Sequence, residues 1–234
     1  MRIEASRGRR WVCGAVLAAS LAWAGLASAA PVDVLRYDFG SGTTGSLSPS
    51  VQSDATGTDV TNGGALSQMF ASTTLAYPTA PVLQANPGGT ASNSVSTAYT
   101  NNNFFQFTLT PAAGTGLDLT SIAFDVGKGG SANTRATGLR TSLTGTSNLL
   151  DVNVTAVRPN FENRSVDLSA IPELQNLTPG TPVTFMIAVA TPSTGNSMEF
   201  DNIVVRAEVT SVPEPAALGL AALAGVGLLR RRRR

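Results

Sequence analysis

Carboxylates are the only abundant side chains in this 234-residue chain that could do acid–base chemistry. The chain has no histidine and only one lysine, Lys128, so the activation of a serine or threonine nucleophile has few routes. Glycoside hydrolysis would need two acids about 5–9.5 Å apart. The thirteen acidic residues between Ala30 and Ser211 single out no such pair. We therefore expect no enzyme and assign no catalytic residue.

Two aspartates far apart in the sequence are candidates for a structural calcium site. Asp38 stands between Tyr37 and Phe39, and Asp201 follows Phe200. Because the first and last strands of a β-sandwich are often neighbours, we expect the two carboxylates to approach each other. Calcium takes about 6–8 oxygen ligands, so backbone carbonyls would have to complete its shell. The alternative is that both aspartates are solvated or bonded within turns, and no other cofactor is expected.

Aromatic and amide side chains supply candidates for sugar binding. Tyr77, Tyr99 and the cluster Asn101–Asn103 could stack on a sugar and bond its hydroxyls. They fall in the least regular region, residues 41–103, which is rich in Ser, Thr, Gly and Asn. Structureless loops of that length are uncommon in compact domains, so we expect short strands within it. The alternative is that the aromatic rings belong to the core and the amides to surface turns.

Strand-type alternation predicts the elements that must position these residues. The predicted strands are Asp33–Phe39, Phe104–Thr110, Leu117–Val126, Leu149–Val157, Val183–Ala190 and Met198–Val209. Val183–Ala190 is largely apolar on both faces, which is typical of a central strand. The apolar phase of the last strand changes midway, which predicts a bulge at Asp201–Asn202. Apart from one helical turn expected near residues 171–177, no helical period is present, so the pattern indicates an all-β antiparallel β-sandwich.

The charge of the central region argues against a nucleic-acid partner. Residues 30–211 hold seven basic and thirteen acidic residues, which leaves a net charge of −6. The remaining basic residues cluster at the two ends of the chain. A mildly acidic domain with scattered arginines lacks the basic patch that binds phosphates.

The N-terminus has the pattern of a secretory signal peptide. A charged start ending in Arg9–Arg10 precedes an apolar run that closes on Ala27-Ser28-Ala29. We expect signal peptidase to read Ala27 and Ala29 and to cut after Ala29. The run is short for a membrane span, which needs about 20 apolar residues, although an uncleaved membrane helix is the alternative. The single cysteine, Cys13, lies in the segment to be removed, so the mature domain has no thiol or disulfide.

The C-terminus has three parts in a fixed order. Pro213, Glu214 and Pro215 come first, and the two prolines favour an extended, accessible backbone. An apolar run from Ala216 to Leu229 follows, which as a helix would span about 21 Å and so falls short of a hydrocarbon core of about 30 Å. The basic cluster ends the chain and could hold the cytoplasmic end of that helix at the headgroups. Its members are Arg230, Arg231, Arg232, Arg233 and Arg234.

This tail resembles the PEP-CTERM sorting signal of proteins exported by bacteria that make extracellular polysaccharide. The resemblance covers the last 23 residues and rests on Pro213, Glu214 and Pro215 with the helix and arginines behind them. It implies recognition by an exosortase, a membrane-embedded enzyme that cuts near the motif, and only a transient stay in the inner membrane. The alternative is a simple tail anchor. The Tyr-Asp-Phe-Gly start and Phe-Asp-Asn-Ile end of the central region also resemble jelly-roll passengers of such proteins.

These features predict three regions and a destination. Residues 1–29 form a signal helix, 30–211 a jelly-roll-like antiparallel sandwich, and 212–234 a sorting signal with a short hydrophobic helix. We expect export to the cell surface or extracellular matrix, where the passenger domain has a structural or adhesive role. A lectin-like module that binds exopolysaccharide is the alternative, and a carboxylate-based glycoside hydrolase a remote one.

Overall fold

A computed structural model describes residues 30–75, 81–130 and 133–212, which fold into two antiparallel sheets packed face to face and a separate two-stranded sheet. The strands are β1 Val32–Tyr37, β2 Gly40–Ser41, β3 Thr44–Gly45, β4 Val51–Gln52, β5 Ala55–Gly57, β6 Thr61–Asn62, β7 Leu66–Ser72, β8 Val82–Pro87, β9 Phe104–Pro111, β10 Thr115–Lys128, β11 Arg135–Thr141, β12 Leu150–Val154, β13 Glu162–Asp167, β14 Val183–Ala190 and β15 Met198–Ser211. One short helix, α1, covers Val95–Thr100, and a 3₁₀ turn covers Pro172–Leu174.

The last strand, β15, organises the first sheet, whose order is β13-β10-β15-β1-β4. One edge of β15 pairs with β10 from Met198 to Ser211. Its other edge is shared, because β8 pairs with its beginning and β1 with its middle. The hairpin partner β7 extends the sheet beyond β8. The first and last strands are therefore neighbours, as the sequence predicted.

The second sheet has the order β12-β11-β14-β9-β5, with β6 also paired to β9. Its middle strand β14 is Val183–Ala190, which confirms the central position predicted from two apolar faces. The 3₁₀ turn at Pro172–Leu174 likewise falls where one helical turn was expected.

Aromatic rings from the two sheets meet in the core. The ring centroids of Tyr37 and Phe107 are 4.9 Å apart, as are those of Phe105 and Phe200. In each pair one residue comes from the first sheet and the other from the second, and all four are buried. Aromatic pairs at this separation add stabilisation beyond their buried area. The predicted all-β antiparallel, jelly-roll-like sandwich is confirmed.

The predicted bulge in β15 is present. Between the pairs Ala123/Val204 and Asp125/Asp201 the register shifts, because β15 has one more residue there than β10. Asn202 adopts a φ of +48° at this point, a left-handed conformation that Asn tolerates better than most residues. The bulge lets Phe200 and Ile203 both enter the core.

Helix α1 lies on the outer face of the second sheet, meaning the face turned away from the first sheet. Its buried residues pack against the alanines Ala136, Ala188 and Ala190 of β11 and β14. Gly138 makes room for it, since a Cβ there would stand 2.2 Å from Val95 Cγ1. Within the described residues no helix has the length and apolarity to cross a membrane.

Candidate functional site

The aspartates predicted as calcium ligands are held by their own backbone. The Asp38 carboxylate accepts a hydrogen bond from the Gly40 N–H at 3.2 Å. The buried Asp201 carboxylate accepts one from the Asn202 N–H at 2.8 Å. Throughout 30–75, 81–130 and 133–212, no group of three or more His, Cys, Asp or Glu residues is placed to hold a metal. The geometry favours the alternative of turn-bonded aspartates.

Asp125 lies opposite Asp201, and both of its carboxylate oxygens accept hydrogen bonds from amide side chains. Its two carboxylate oxygens accept from Asn163 Nδ2 at 2.8 Å and from Asn202 Nδ2 at 3.0 Å. These bonds tie β13 and the β15 bulge to β10. We therefore assign this aspartate to holding the sheet together at its bulge.

Two of the candidate sugar-binding residues, Tyr99 and Asn103, have structural partners. Tyr99 is 8% exposed, and its hydroxyl donates to the Met186 carbonyl at 2.9 Å. Burial raises the pKa of the Tyr99 hydroxyl above its usual value. The fully buried Asn103 amide donates to the Thr90 carbonyl at 2.8 Å and to Ser92 Oγ at 3.0 Å. The alternative interpretation therefore holds for Tyr99, whose ring is buried, whereas Asn103 is buried within the fold instead of lying in a surface turn.

The other residues of that candidate group are Asn101, Asn102 and Tyr77. Asn101 donates to Ser92 Oγ at 3.2 Å, and Asn102 follows the helix with a φ of +56°. Tyr77 lies outside the described residues. The described part of the cluster ends α1 and leads into β9.

An exposed aromatic ring within a group of amides lies elsewhere, on the outer face of the β7–β8 hairpin. We call Phe70, Gln68, Gln84 and Asn86 the amide face. Phe70 is opposite Gln84, and Gln68 is opposite Asn86, so all four share one face of the sheet. The Asn86 amide donates to Gln68 Oε1 at 3.3 Å, and the Gln84 amide to Asn86 Oδ1 at 3.5 Å.

Phe70 is the most exposed of the large hydrophobic residues in the described ranges, at 44%. Its neighbours Met69 and Ala71 pack against the core instead. No residue between Asp59 and Asp118 carries a charge, so this hairpin presents only aromatic and neutral hydrogen-bonding groups. The sequence alone did not identify Phe70 as an exposed residue, because the apolar residues around it follow no regular spacing.

Next to the amide face lies a buried ion pair. Glu199 is opposite Gln84 and fully buried. Its Oε1 accepts hydrogen bonds from Arg158 Nη2 and, at 2.5 Å, from Ser197 Oγ. Gly129 packs against all three groups, and a Cβ there would stand 2.4 Å from Ser197 Oγ. Because Arg158 and Glu199 are 41 positions apart, their pairing gives no sequence signal.

The other cations at this end of the sandwich donate to backbone carbonyls. Lys128 Nζ donates to the Asn133 carbonyl at 3.2 Å, and Arg135 Nη1 donates to the Ser197 carbonyl. Both residues are buried. A buried charge is stable only when it is paired or hydrogen-bonded, so these groups stabilise the loops they join.

The fold extends to the border of the tail. Thr115 is opposite Ser211, and Gly116 is opposite Thr210. The Val212 N–H then donates to the Gly114 carbonyl at 2.9 Å. The sequence-predicted sorting residues begin with the next position, Pro213. The sorting motif, the hydrophobic helix, the terminal arginines and the signal-peptidase residues Ala27 and Ala29 all lie outside the described residues.

A family model described as the PEP-CTERM protein-sorting motif matches residues 211–234. The chain is a PEP-CTERM-containing protein. The match confirms the resemblance inferred from Pro213, Glu214 and Pro215, and it indicates export. No curated protein matches this PEP-CTERM protein in sequence.

Several solved structures are similar to the chain at low identity. The K3 adhesin domain of Lys-gingipain from Porphyromonas gingivalis w83 has a TM-score of 0.40 and 13% identity, covering 76% of this chain and 99% of that one. The CBM27-1 module of Caldicellulosiruptor saccharolyticus, solved with mannohexaose, has a TM-score of 0.38 and 17% identity, covering 76% and 97%. A Stig cyclase from Fischerella sp. TAU has a TM-score of 0.34 and 15% identity, covering 78% and 86%. Scores this low place no constraint on what this PEP-CTERM protein binds.

Proposed function

We propose that this PEP-CTERM protein is exported, loses its tail to an exosortase-type enzyme, and remains at the cell surface or in the extracellular matrix as a non-catalytic β-sandwich. The single observation that carries the proposal is the sorting-motif match at residues 211–234. The match begins at Ser211, the last residue of β15, so the sorting signal starts where the sandwich ends.

The three regions then have separate roles. We assign residues 1–29 to a signal peptide that signal peptidase recognises through Ala27 and Ala29 and cuts after Ala29, and residues 30–211 to the passenger domain. Residues 212–234 are the sorting signal, with Pro213, Glu214 and Pro215 as the motif and the terminal arginines as its membrane end. The ordered strands from Val32 to Ser211 support these boundaries. Signal peptidase, the processing enzyme and, transiently, the inner membrane are the partners.

A structural or adhesive role for the passenger domain follows from how its polar groups are used. Buried charged groups such as Glu199 and Lys128 bond to other residues of the fold. Asp125, Asp201 and Asn103 are likewise bonded within it. Catalytic acids and bases instead typically lie in a cleft that a substrate can reach. This use of charge supports a stable scaffold over an enzyme.

The test is the intact mass of the protein recovered from envelope and medium of its own host. We expect a species that begins at Ala30 and ends between Val212 and Pro215, with or without added mass at the new end. A species that retains Arg230–Arg234 would contradict processing and make the tail an anchor.

The amide face favours a second candidate, the binding of a neutral exopolysaccharide. An exposed ring can cover the apolar C–H face of a sugar. The amides of Gln68, Gln84 and Asn86 can both donate to and accept from neighbouring hydroxyls. We expect Phe70→Ala to abolish the retardation of the protein in a gel that contains host exopolysaccharide. Leu143→Ala, at another exposed apolar residue, is the control that should leave it unchanged. If the wild-type protein migrates freely, it does not bind the exopolysaccharide, and only the structural role is supported.

A further inference from the structure

The last residues of β15 belong both to the fold and to the sorting signal. The pairing of β15 with β10 extends to Ser211, and the Val212 N–H bonds to the Gly114 carbonyl. The sorting-motif match begins at Ser211, inside this paired strand. Pro213 follows Val212 directly, so the sequence provides no spacer between the sandwich and the motif.

An enzyme that cuts near the motif needs an extended stretch of backbone on the upstream side. Peptides in such sites commonly lie as added strands, with their own N–H and C=O groups bonded to the enzyme. Susceptibility to cleavage follows from the burial and hydrogen bonding of the affected backbone. Here the upstream groups already bond to β10, so the two partners compete for the same backbone.

We propose that Thr210, Ser211 and Val212, the shared segment, are the upstream part of what the processing enzyme binds. They become available only when they separate from β10. This inference rests on the proposed processing of the tail. It assigns a recognition role to residues on the passenger side of the motif, and it names the interaction that holds them back, the pairing with Gly114, Thr115 and Gly116.

The shared segment is suited to local opening because little apolar surface holds it. Thr210, Ser211 and Val212 are exposed, whereas Ile203 and Val205 of the same strand are fully buried. Segments with few buried contacts open at a small fraction of the free energy of global unfolding. When opening is fast relative to cleavage, the cleavage rate follows the population of the open form.

A disulfide between β10 and the shared segment tests the proposal. Thr115 and Ser211 form a pair that exchanges no backbone hydrogen bonds, since the Thr115 N–H bonds to the Ala112 carbonyl. Such pairs bring their Cβ atoms closest, as a disulfide requires. The only native cysteine, Cys13, lies in the expected signal peptide. The double variant Thr115→Cys/Ser211→Cys therefore forms only the intended bond in the oxidising space outside the inner membrane.

We expect tail removal from the oxidised variant, followed by pulse labelling and mass spectrometry in the host, to be at least about tenfold slower than from wild type. The matched control is Ala123→Cys/Ser165→Cys, which joins β10 to β13 at a pair of the same kind. It should be processed at the wild-type rate. Non-reducing electrophoresis verifies that both disulfides form.

A spacer variant separates the competition from any other effect of the disulfide. Six Gly/Ser residues inserted between Val212 and Pro213 supply a new upstream segment, so the locked variant with the spacer should regain the wild-type rate. If the locked variant without the spacer is processed as fast as wild type, the inference is overturned while the proposed function stands. If wild type itself keeps Arg230–Arg234, the proposed function fails first.

Discussion

Glu199 is a buried carboxylate that accepts hydrogen bonds from Arg158 and Ser197. Arg158 reaches it across Gly129, and the arginine side chain remains 29% exposed. Removing one partner of a buried pair leaves a charge that has lost its water, which costs several kcal/mol. We expect Arg158→Met to lower the free energy of unfolding at pH 7 by about 2–3 kcal/mol, toward the lower end because Arg158 is partly exposed. Urea denaturation of the mature protein measures this change.

The double variant Arg158→Met/Glu199→Gln is the informative partner of that experiment. Once the carboxylate is neutral, the missing guanidinium matters less, so the double variant should regain at least half of the lost stability. The control is Arg36→Met, which removes a surface ion pair with Asp33 and should cost under about 1 kcal/mol. A double variant as unstable as the sum of its single variants would show that Arg158 contributes by packing.

Asp33 makes a small contribution to the stability of the folded domain, and this contribution is lost at low pH. Hydrogen bonds from Arg206 and then from Arg36, at 2.8 and 2.5 Å, hold the pKa of its carboxyl below the usual value. A lowered pKa stabilises the folded state above the unfolded pKa of about 3.9, and this stabilisation disappears as the pH falls through the folded pKa. Arg206 is 55% exposed, so water screens the pair and the effect at pH 7 stays under about 1 kcal/mol.

We therefore expect Asp33→Asn to be slightly less stable than wild type at pH 7 and to approach it near pH 2. Denaturation curves across this pH range measure the difference. Added salt should shrink the gap at pH 7, since the pair is near the surface. A gap that widens toward low pH would contradict the assigned sign.

At the scale of elements, helix α1 depends on a glycine in the strand beneath it. A Cβ at Gly138 would stand 2.2 Å from Val95 Cγ1 and 2.9 Å from the Leu150 carbonyl oxygen. Inserting atoms into a packed contact of this kind typically costs about 1–3 kcal/mol. We expect Gly138→Ala to lower the stability by that amount and to displace α1, which chymotryptic nicking after Tyr99 would detect. Gly195→Ala, where a Cβ meets nothing closer than 4.0 Å, is the matched control and should be neutral.

The strands that sequence predicts are those with at least one clear apolar face. β1, β9, β10, β12, β14 and β15 were expected from their apolar pattern and are confirmed, most of them with ends that differ by a few residues. The expectation of short strands between residues 41 and 103 is also confirmed. β13 escaped prediction because its sequence, Glu162–Asp167, has one buried apolar residue, Val166.

Two further elements were missed because tertiary contacts define them. β11 contains Gly138 and Thr137, which suit a strand only because α1 covers one and the Ala188 carbonyl accepts from the other. Helix α1 has six residues, too few for a helical period, and begins at a Ser94 cap. Short polar helices of this kind are stabilised by what they pack on, which sequence spacing does not reveal.

At the scale of the whole molecule, the sorting tail can be recognised from sequence, whereas the amide face and the Glu199 ion pair cannot. The sorting tail is a linear signal, so Pro213, Glu214 and Pro215 were recognised from sequence and a family model matches them. The amide face and the Glu199 pair join residues from separate strands, and only the folded register brings them together. The overlap of the sorting motif with β15 at Ser211 depends on both the linear signal and the fold.

That border yields a prediction about the mature domain as a whole. A protein of residues 30–212 keeps every described contact of β15, whereas residues 30–209 lack the pairing of Gly116 with Thr210 and the hydrogen bond from the Val212 N–H to the Gly114 carbonyl. Each hydrogen bond contributes about 0.5–1.5 kcal/mol net to the free energy of unfolding. At a frayed strand end this contribution is smaller, because the bond is already open part of the time. We expect the shorter protein to lose about 1 kcal/mol, which lowers Tm by roughly 2–4 °C for a domain of this size. Calorimetry of the two proteins measures the shift, and a drop of more than about 10 °C would mean that the shared segment is too firmly held to open for processing.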